Sequence, residues 1–170
     1  MERILILGVQ VHSFDDPALR KLRIGVQLIG DDGANTPPAH ALAKRGIIDN
    51  VRGYTVYGDY STDSPPARII DAVAAGEIDI AVAWGPMAGY FARHASARLR
   101  VEPVRPAIDD AQWPMTYAIA MGVRKGQVKM KAEIEAILRK EQPAIMRILA
   151  DYGVPLVSGS AQIAAGDAAH

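Results

Sequence analysis

Arg23-Ile24-Gly25-Val26-Gln27-Leu28-Ile29-Gly30-Asp31-Asp32-Gly33-Ala34-Asn35-Thr36-Pro37-Pro38-Ala39-His40 runs from an apolar segment through a glycine-rich polar loop into a helix start. Its first seven residues predict a strand and Pro37 to Arg45 a short helix. Two prolines are tolerated there because the N–H groups of a first helical turn have no partners within the helix. Thr36 occupies the expected hydroxyl cap and Gly46 the expected stop. A strand leading through such a loop to a helix presents unpaired backbone N–H groups at one edge of a sheet, a seat suited to a small polar or anionic ligand.

The pattern returns further on. Tyr54-Thr55-Val56-Tyr57 predicts a strand, Gly58-Asp59 opens a loop, Ser64-Pro65-Pro66-Ala67 starts a helix and Gly76 ends it. In both units a hydroxyl followed by Pro-Pro-Ala stands five positions after Gly-Asp, with His40 matched by Arg68. An internal duplication and convergent helix-start chemistry both account for this echo. Either way, two helix N-termini are expected at the same edge of a parallel sheet, facing a common crevice.

Outward from this pair, Ile4 to Val11 predicts a strand and Asp16-Pro17 a single helical turn through Lys21. Ile78 to Val82 is a continuous apolar run suited to a buried parallel strand, which Trp84-Gly85-Pro86 breaks before a helix from Met87 to His94. Arg98 to Val104 alternates like an edge or crossing strand. Arg105 to Pro114 is expected to be a polar loop, and Tyr117 to Val123 another buried strand. The last third is helical: Met130, Ile134, Ile137 and Leu138 share a face that Ile145, Ile148 and Leu149 continue beyond Pro143. That proline is expected to kink the helix or divide it in two. From Val157 on no periodicity remains, as in a frayed terminus. The fold class is α/β, a mixed and mainly parallel sheet flanked by helices, with a helical C-terminal segment.

Composition narrows the function classes. With 170 residues, 49% of them hydrophobic, the chain can bury a substantial core. Its 19 basic and 19 acidic residues cancel, and no basic cluster interleaved with aromatics is present, which argues against nucleic acid as a partner. The apolar run in Met1 to Val9 is too short for a signal-peptide core or a membrane span. The chain has no cysteine, which removes thiolate catalysis, disulfides and cysteine-type zinc sites.

The candidate ligand-binding residues are Gly30, Asp31, Asp32, Gly33, Asn35 and Thr36 of the first loop, Gly58 and Asp59 of its echo, and Trp84 at the end of a buried strand. The loop could equally be a capped tight turn, and Trp84 could equally be a core residue. Two adjacent carboxylates could bind a cation, but no spaced oxygen-ligand loop accompanies them. His12, His40, His94 and His170 lack metal-ligand spacing and triad order. No catalytic residue, metal or cofactor is indicated, and the loop lacks the phosphate and dinucleotide fingerprints.

Three segments together, Ser13 to Val26, Ala74 to Val82 and Tyr117 to Ala120, resemble the type II periplasmic solute-binding fold. The runs Ile24 to Leu42, Val51-Arg52-Gly53-Tyr54-Thr55-Val56-Tyr57-Gly58-Asp59-Tyr60 and Ala83-Trp84-Gly85-Pro86 are more particular. They resemble the solute-binding-like accessory proteins of quinoprotein alcohol and methanol dehydrogenases, the MxaJ/XoxJ type, over most of Ser13 to Val157. The resemblance implies a non-enzymatic periplasmic protein with two lobes around a cleft. It also implies a quinoprotein dehydrogenase as partner, with a role in its maturation or activation. With it the chain divides into a crossing strand in 1–12, a solute-binding lobe in 13–104 and a return segment in 105–157, and the absence of periodicity makes 158–170 a disordered tail. Such proteins carry a first lobe of about a hundred residues, an ordinary domain size, before the point matching the start of this chain. The return segment is therefore expected to expose an apolar face and to drive a homodimer or higher oligomer, in one form by exchange of C-terminal helices.

Amino-acid-binding relatives hold the ammonium group with an acid where this chain has Ala83-Trp84-Gly85, so the resemblance implies a small polar solute other than an amino acid. A receptor for an ABC transporter is the alternative within the fold. A small α/β enzyme using Asp31 or Asp32 as base is the alternative outside it.

Overall fold

The computed structural model describes residues 2–8, 11–29, 34–55, 65–110, 113–117 and 119–154. Its strands are β1 (Glu2–Gly8), β2 (Ile24–Ile29), β3 (Ala34–Asn35), β4 (Val51–Thr55), β5 (Ile80–Trp84), β6 (Val101–Pro103), β7 (Ile108–Asp110), β8 (Trp113–Pro114) and β9 (Thr116–Tyr117). The helices are α1 (Pro37–Lys44), α2 (Arg68–Ala74), α3 (Gly85–His94) and α4 (Val128–Asp151), with single 3-10 turns at Pro17–Arg20 and Pro65–Ala67.

The sheet is mixed. β2 lies parallel to β4, with Ile24 opposite Val51, and parallel to β5, with Ile24 opposite Ile80. β1 runs antiparallel to β5, β6 and β9, and β3 antiparallel to β2. Parallel pairing is thus confined to β4, β2 and β5, and their C-terminal ends share one edge of the sheet.

β5 explains why both faces of the sheet are covered. Ile80 and Val82 join a cluster with Phe14, Leu19, Ile24, Val26 and Leu42, whereas Ala81 and Ala83 join one with Ile69, Ile70, Val73, Ile78 and Ala88. Alternate residues of a strand point to opposite faces, so a continuous apolar run is what a strand sandwiched between two layers requires. Full burial of one such isoleucine stabilises the fold by about 2–3 kcal/mol.

The expected glycine stops are present. Gly46 and Gly76 adopt φ of 66° and 71°, the left-handed region that ends a helix cheaply only for glycine. After Gly46 the Ile47 N–H turns back to the Leu42 carbonyl at 3.0 Å, and after Gly76 the Glu77 N–H reaches the Ala72 carbonyl at 2.9 Å.

Four expectations need correction. Thr36 occupies the cap position but its hydroxyl makes no cap bond, because it donates to the Gln27 carbonyl at 2.7 Å instead. The strand expected over Tyr117 to Val123 is reduced to β9, whose pairing with β1 ends at Tyr117 opposite Glu2. Beyond it, Ile119 and Met121 are 68% and 65% exposed, since an apolar run without a neighbouring strand has nowhere to be buried. The polar loop expected over Arg105 to Pro114 contains the β7–β8 hairpin. Finally, of the two outcomes expected at Pro143, a kink or a division, the division does not occur: α4 runs as one helix through it. Pro143 lies on an exposed position, where the carbonyl freed one turn earlier can reach water.

Candidate functional site

Three helical segments begin at the shared sheet edge: α1 after β2 and β3, the Pro65 turn and α2 after β4, and α3 directly after β5. Gln27, one residue before Leu28 in an apolar strand, joins two of them. It is only 7% exposed. Its Oε1 accepts the Trp84 N–H at 2.9 Å and its Nε2 lies 3.9 Å from Met87 Sδ, while its carbonyl accepts the Thr36 hydroxyl. One buried amide therefore fixes the start of α3 through its side chain and the start of α1 through its backbone. A buried amide must find such partners or lose about 1–3 kcal/mol.

Trp84 closes β5 and precedes Gly85, the first residue of α3. Its N–H is held by Gln27, yet it is 41% exposed. The core alternative for this tryptophan is thus excluded, and a large ring is presented at the sheet edge. A second indole stands by α1: Trp113 of β8 stacks on His40 with ring centroids 4.3 Å apart.

The sequence-expected residues divide as follows. Thr36 is buried at 8% exposure with its proton committed to β2. Asn35 lies in β3 opposite Leu28. Gly30, Asp31, Asp32, Gly33, Gly58 and Asp59 lie outside the described residues. The Pro-Pro-Ala echo differs in geometry: Pro37-Pro38-Ala39 is the first turn of an α-helix, whereas Pro65-Pro66-Ala67 forms a 3-10 turn before α2. Gln27 was missed by the sequence reading, although a polar residue within the Ile24–Ile29 run was the available signal.

The strongest charge pairs sit at the opposite end of these elements. Arg45, just after α1, grips Asp109 with both terminal nitrogens at 3.0 and 2.6 Å and reaches Asp15 through Nε at 2.7 Å. Its hydrogen bonds hold the Asp109 carboxyl below its ordinary range, against the opposing effect of burial. Arg23, just before β2, forks onto Asp79 at 3.0 and 2.6 Å and adds its backbone N–H at 2.8 Å. Those bonds lower the Asp79 pKa to about 2. Both clusters bind chain segments to one another and are away from the helix starts. Among the described residues no three His, Asp or Glu side chains are grouped to hold a metal, and no helix is long and apolar enough to cross a membrane.

Comparison with known proteins gives this geometry a context. The chain is 40% identical to MoxJ of Methylorubrum extorquens in an alignment 160 residues long that covers 88% of this chain and 51% of MoxJ. It is 28% identical to MoxJ of Paracoccus denitrificans over 102 residues, or 58% of this chain and 37% of that protein. Among solved structures, the periplasmic binding protein XoxJ from Methylobacterium extorquens AM1 superposes with a TM-score of 0.76 at 25% identity, over 92% of this chain and 69% of XoxJ. The fold is that of a periplasmic binding protein. In sequence the chain is similar to MoxJ, and in structure to the periplasmic binding protein XoxJ. MxaJ from Methlophaga aminisulfidivorans MPT supports the fold alone, with a TM-score of 0.67 at 18% identity over 92% of this chain and 68% of MxaJ. No protein-family model matches the chain. The chain spans about half the length of the M. extorquens MoxJ protein and a smaller share of the Paracoccus one. In open α/β sheets in general, ligands bind outside the C-terminal ends of the parallel strands, and here that is the edge where α1 and α3 begin.

Proposed function

We propose that this chain is a non-enzymatic, solute-binding-like accessory module of a quinoprotein alcohol or methanol dehydrogenase, acting in the periplasm in the maturation or activation of that enzyme. The similarity to MoxJ and XoxJ carries the reading. The exposed Trp84 beside three helix starts supports it, because an aromatic ring at a polar edge is a common anchor for a protein partner. Gly30, Asp31, Asp32, Gly33, Asn35 and Thr36, with Gly58, Asp59 and Trp84, form the contact edge in this reading. Thr36 and Gln27 position it, and the loop residues and Trp84 touch the partner.

The test is a binding titration of the purified chain against a purified pyrroloquinoline-quinone-dependent methanol dehydrogenase. Saturable binding is expected, weakened about tenfold or more by Trp84→Ala. A chain that fails to bind the dehydrogenase, yet is raised in melting temperature by one member of a panel of small polar solutes, is instead a transport receptor. Turnover lost on Asp31→Asn would identify an enzyme.

A further inference from the structure

We propose that the open cavity at the end of α3 remote from Trp84 binds a small organic monoanion, a carboxylate carrying a short apolar body. The cavity has a volume of about 550 Å³, within the range of small-molecule sites. Apart from Gly153, the residues that line it belong to one continuous run of the lobe, Gly89 to Val101, which leads from α3 into β6. Gly89, Ala92, Ala95 and Ala97 leave the space unfilled because their side chains are too small to cross it. Leu99 and Val101 give it an apolar side, and both pack against the core cluster that contains Ile69 and Ile70.

Charge selects the ligand. Among the described residues, Arg93, Ser96 and Arg98 are the polar side chains of the cavity, and no carboxylate lines it. Arg93 commits one terminal nitrogen to the carbonyls of Ala150 and Asp151 at 2.8 and 2.9 Å, which fixes its guanidinium beside the cavity and leaves donors to spare. Arg98 has neither a hydrogen bond nor an ion pair among the described residues. Both α3 and α4 end here, capped at Ala95 and at Tyr152, and a helix C-terminus carries about half a negative charge. Two guanidiniums against two helix ends leave about one positive charge, which a monoanion answers and a dianion exceeds. The planar fork of a guanidinium matches the two oxygens of a carboxylate. The Ser96 hydroxyl adds a donor, and an apolar body can lie along Leu99 and Val101. This site is separate from the edge where α1 and α3 begin, and the inference does not rest on the dehydrogenase reading.

The test is a calorimetric titration of the full chain with hexanoate at pH 8. Saturable binding at one site is expected, with a dissociation constant of about a millimolar or tighter. Acetate, which lacks the apolar body, and hexanol, which lacks the charge, should each bind at least about tenfold more weakly. Hexyl phosphate, a dianion at this pH, should also bind more weakly than hexanoate. Arg98→Gln should weaken hexanoate about tenfold, and Arg98→Lys, which keeps the charge without the fork, by less. Ala97→Phe fills the cavity and should abolish binding. Arg52→Gln removes a guanidinium that lies over Tyr54 in β4 and should change nothing. Circular dichroism checks that each variant is folded. Hexanoate that fails to saturate the chain overturns the proposal. So does binding indifferent to Arg98→Gln or to Ala97→Phe, hexanol or hexyl phosphate binding as tightly as hexanoate, or a loss on Arg52→Gln equal to that on Arg98→Gln.

Discussion

α3 and α4 carry comparable apolar faces and meet opposite fates. α3, ten residues long, buries Gly85, Ala88 and Gly89, and Ala88 is part of the cluster under β5. α4, more than twice as long, buries nothing. The two helices touch where α4 ends: Arg93 donates to the carbonyls of Ala150 and Asp151 at 2.8 and 2.9 Å, Tyr152 stacks on Tyr90 with centroids 5.5 Å apart, and Val154 is buried. The contrast teaches that an amphipathic pattern states a demand for cover. It does not state that the described residues meet it.

The comparison can be broken first in the lobe core, on the face of β5 opposite the one that α3 covers. Ile80 is fully buried, and Ile80→Ala is expected to lower unfolding free energy by about 4 kcal/mol, through lost transfer energy and an unfilled cavity, measured by urea denaturation. Arg45→Met ranks next at about 3 kcal/mol, because it strands an Asp109 side chain that is 7% exposed without its guanidinium. Its cost should shrink at low pH, where Asp109 becomes protonated and needs no cation.

The junction itself is the third target. A Cβ at Gly89 would overlap the carbonyl of Gly153, so Gly89→Ala is expected to separate the helix ends at about 2 kcal/mol. Amide hydrogen exchange should then quicken in α4 and leave β2 and β5 unchanged. A uniform loss across the chain would show that α4 supports the lobe more than its burial indicates.

A smaller effect tests the lobe's acid limb. Asp79 titrates at about 2 in the folded chain against an ordinary 3.8, so its pairing with Arg23 stabilises the fold fully above about pH 4 and is lost as pH falls toward 2. Asp79→Asn should remove that part of the melting-temperature decline between pH 4 and 2. At the bottom of the series, Ile137→Ala in dilute solution should change stability by no more than about 0.5 kcal/mol, as befits a side chain 58% exposed.

Much of the lobe was legible from residues alone. The apolar run ending in Val82 and the glycine stops at 46 and 76 each encode a local rule with one structural answer, and both Pro-Pro pairs begin helical turns, though of different kinds. What escaped needed knowledge of neighbours. Tyr117 to Val123 had strand-like composition, but β1 supplies a partner only as far as Tyr117. Pro143 signalled a break that solvent exposure tolerates. Thr36 had the right residue type for a cap, yet a strand carbonyl competed successfully for its hydroxyl. Gln27 drew no reading as part of an apolar strand, and only the convergence of Thr36, Trp84 and Met87 upon it reveals its role. Most of the candidate loop, Gly30 to Gly33 with Gly58 and Asp59, stands as a reading of sequence.

The close approach of Gly89 to Gly153 has a mechanical consequence. With a rise of 1.5 Å per residue, α4 extends about 36 Å from that contact, so it is a long lever on a narrow fulcrum. A rotation of about 5° at the two glycines carries the first turn by about 3 Å, enough to make or break a side-chain contact there.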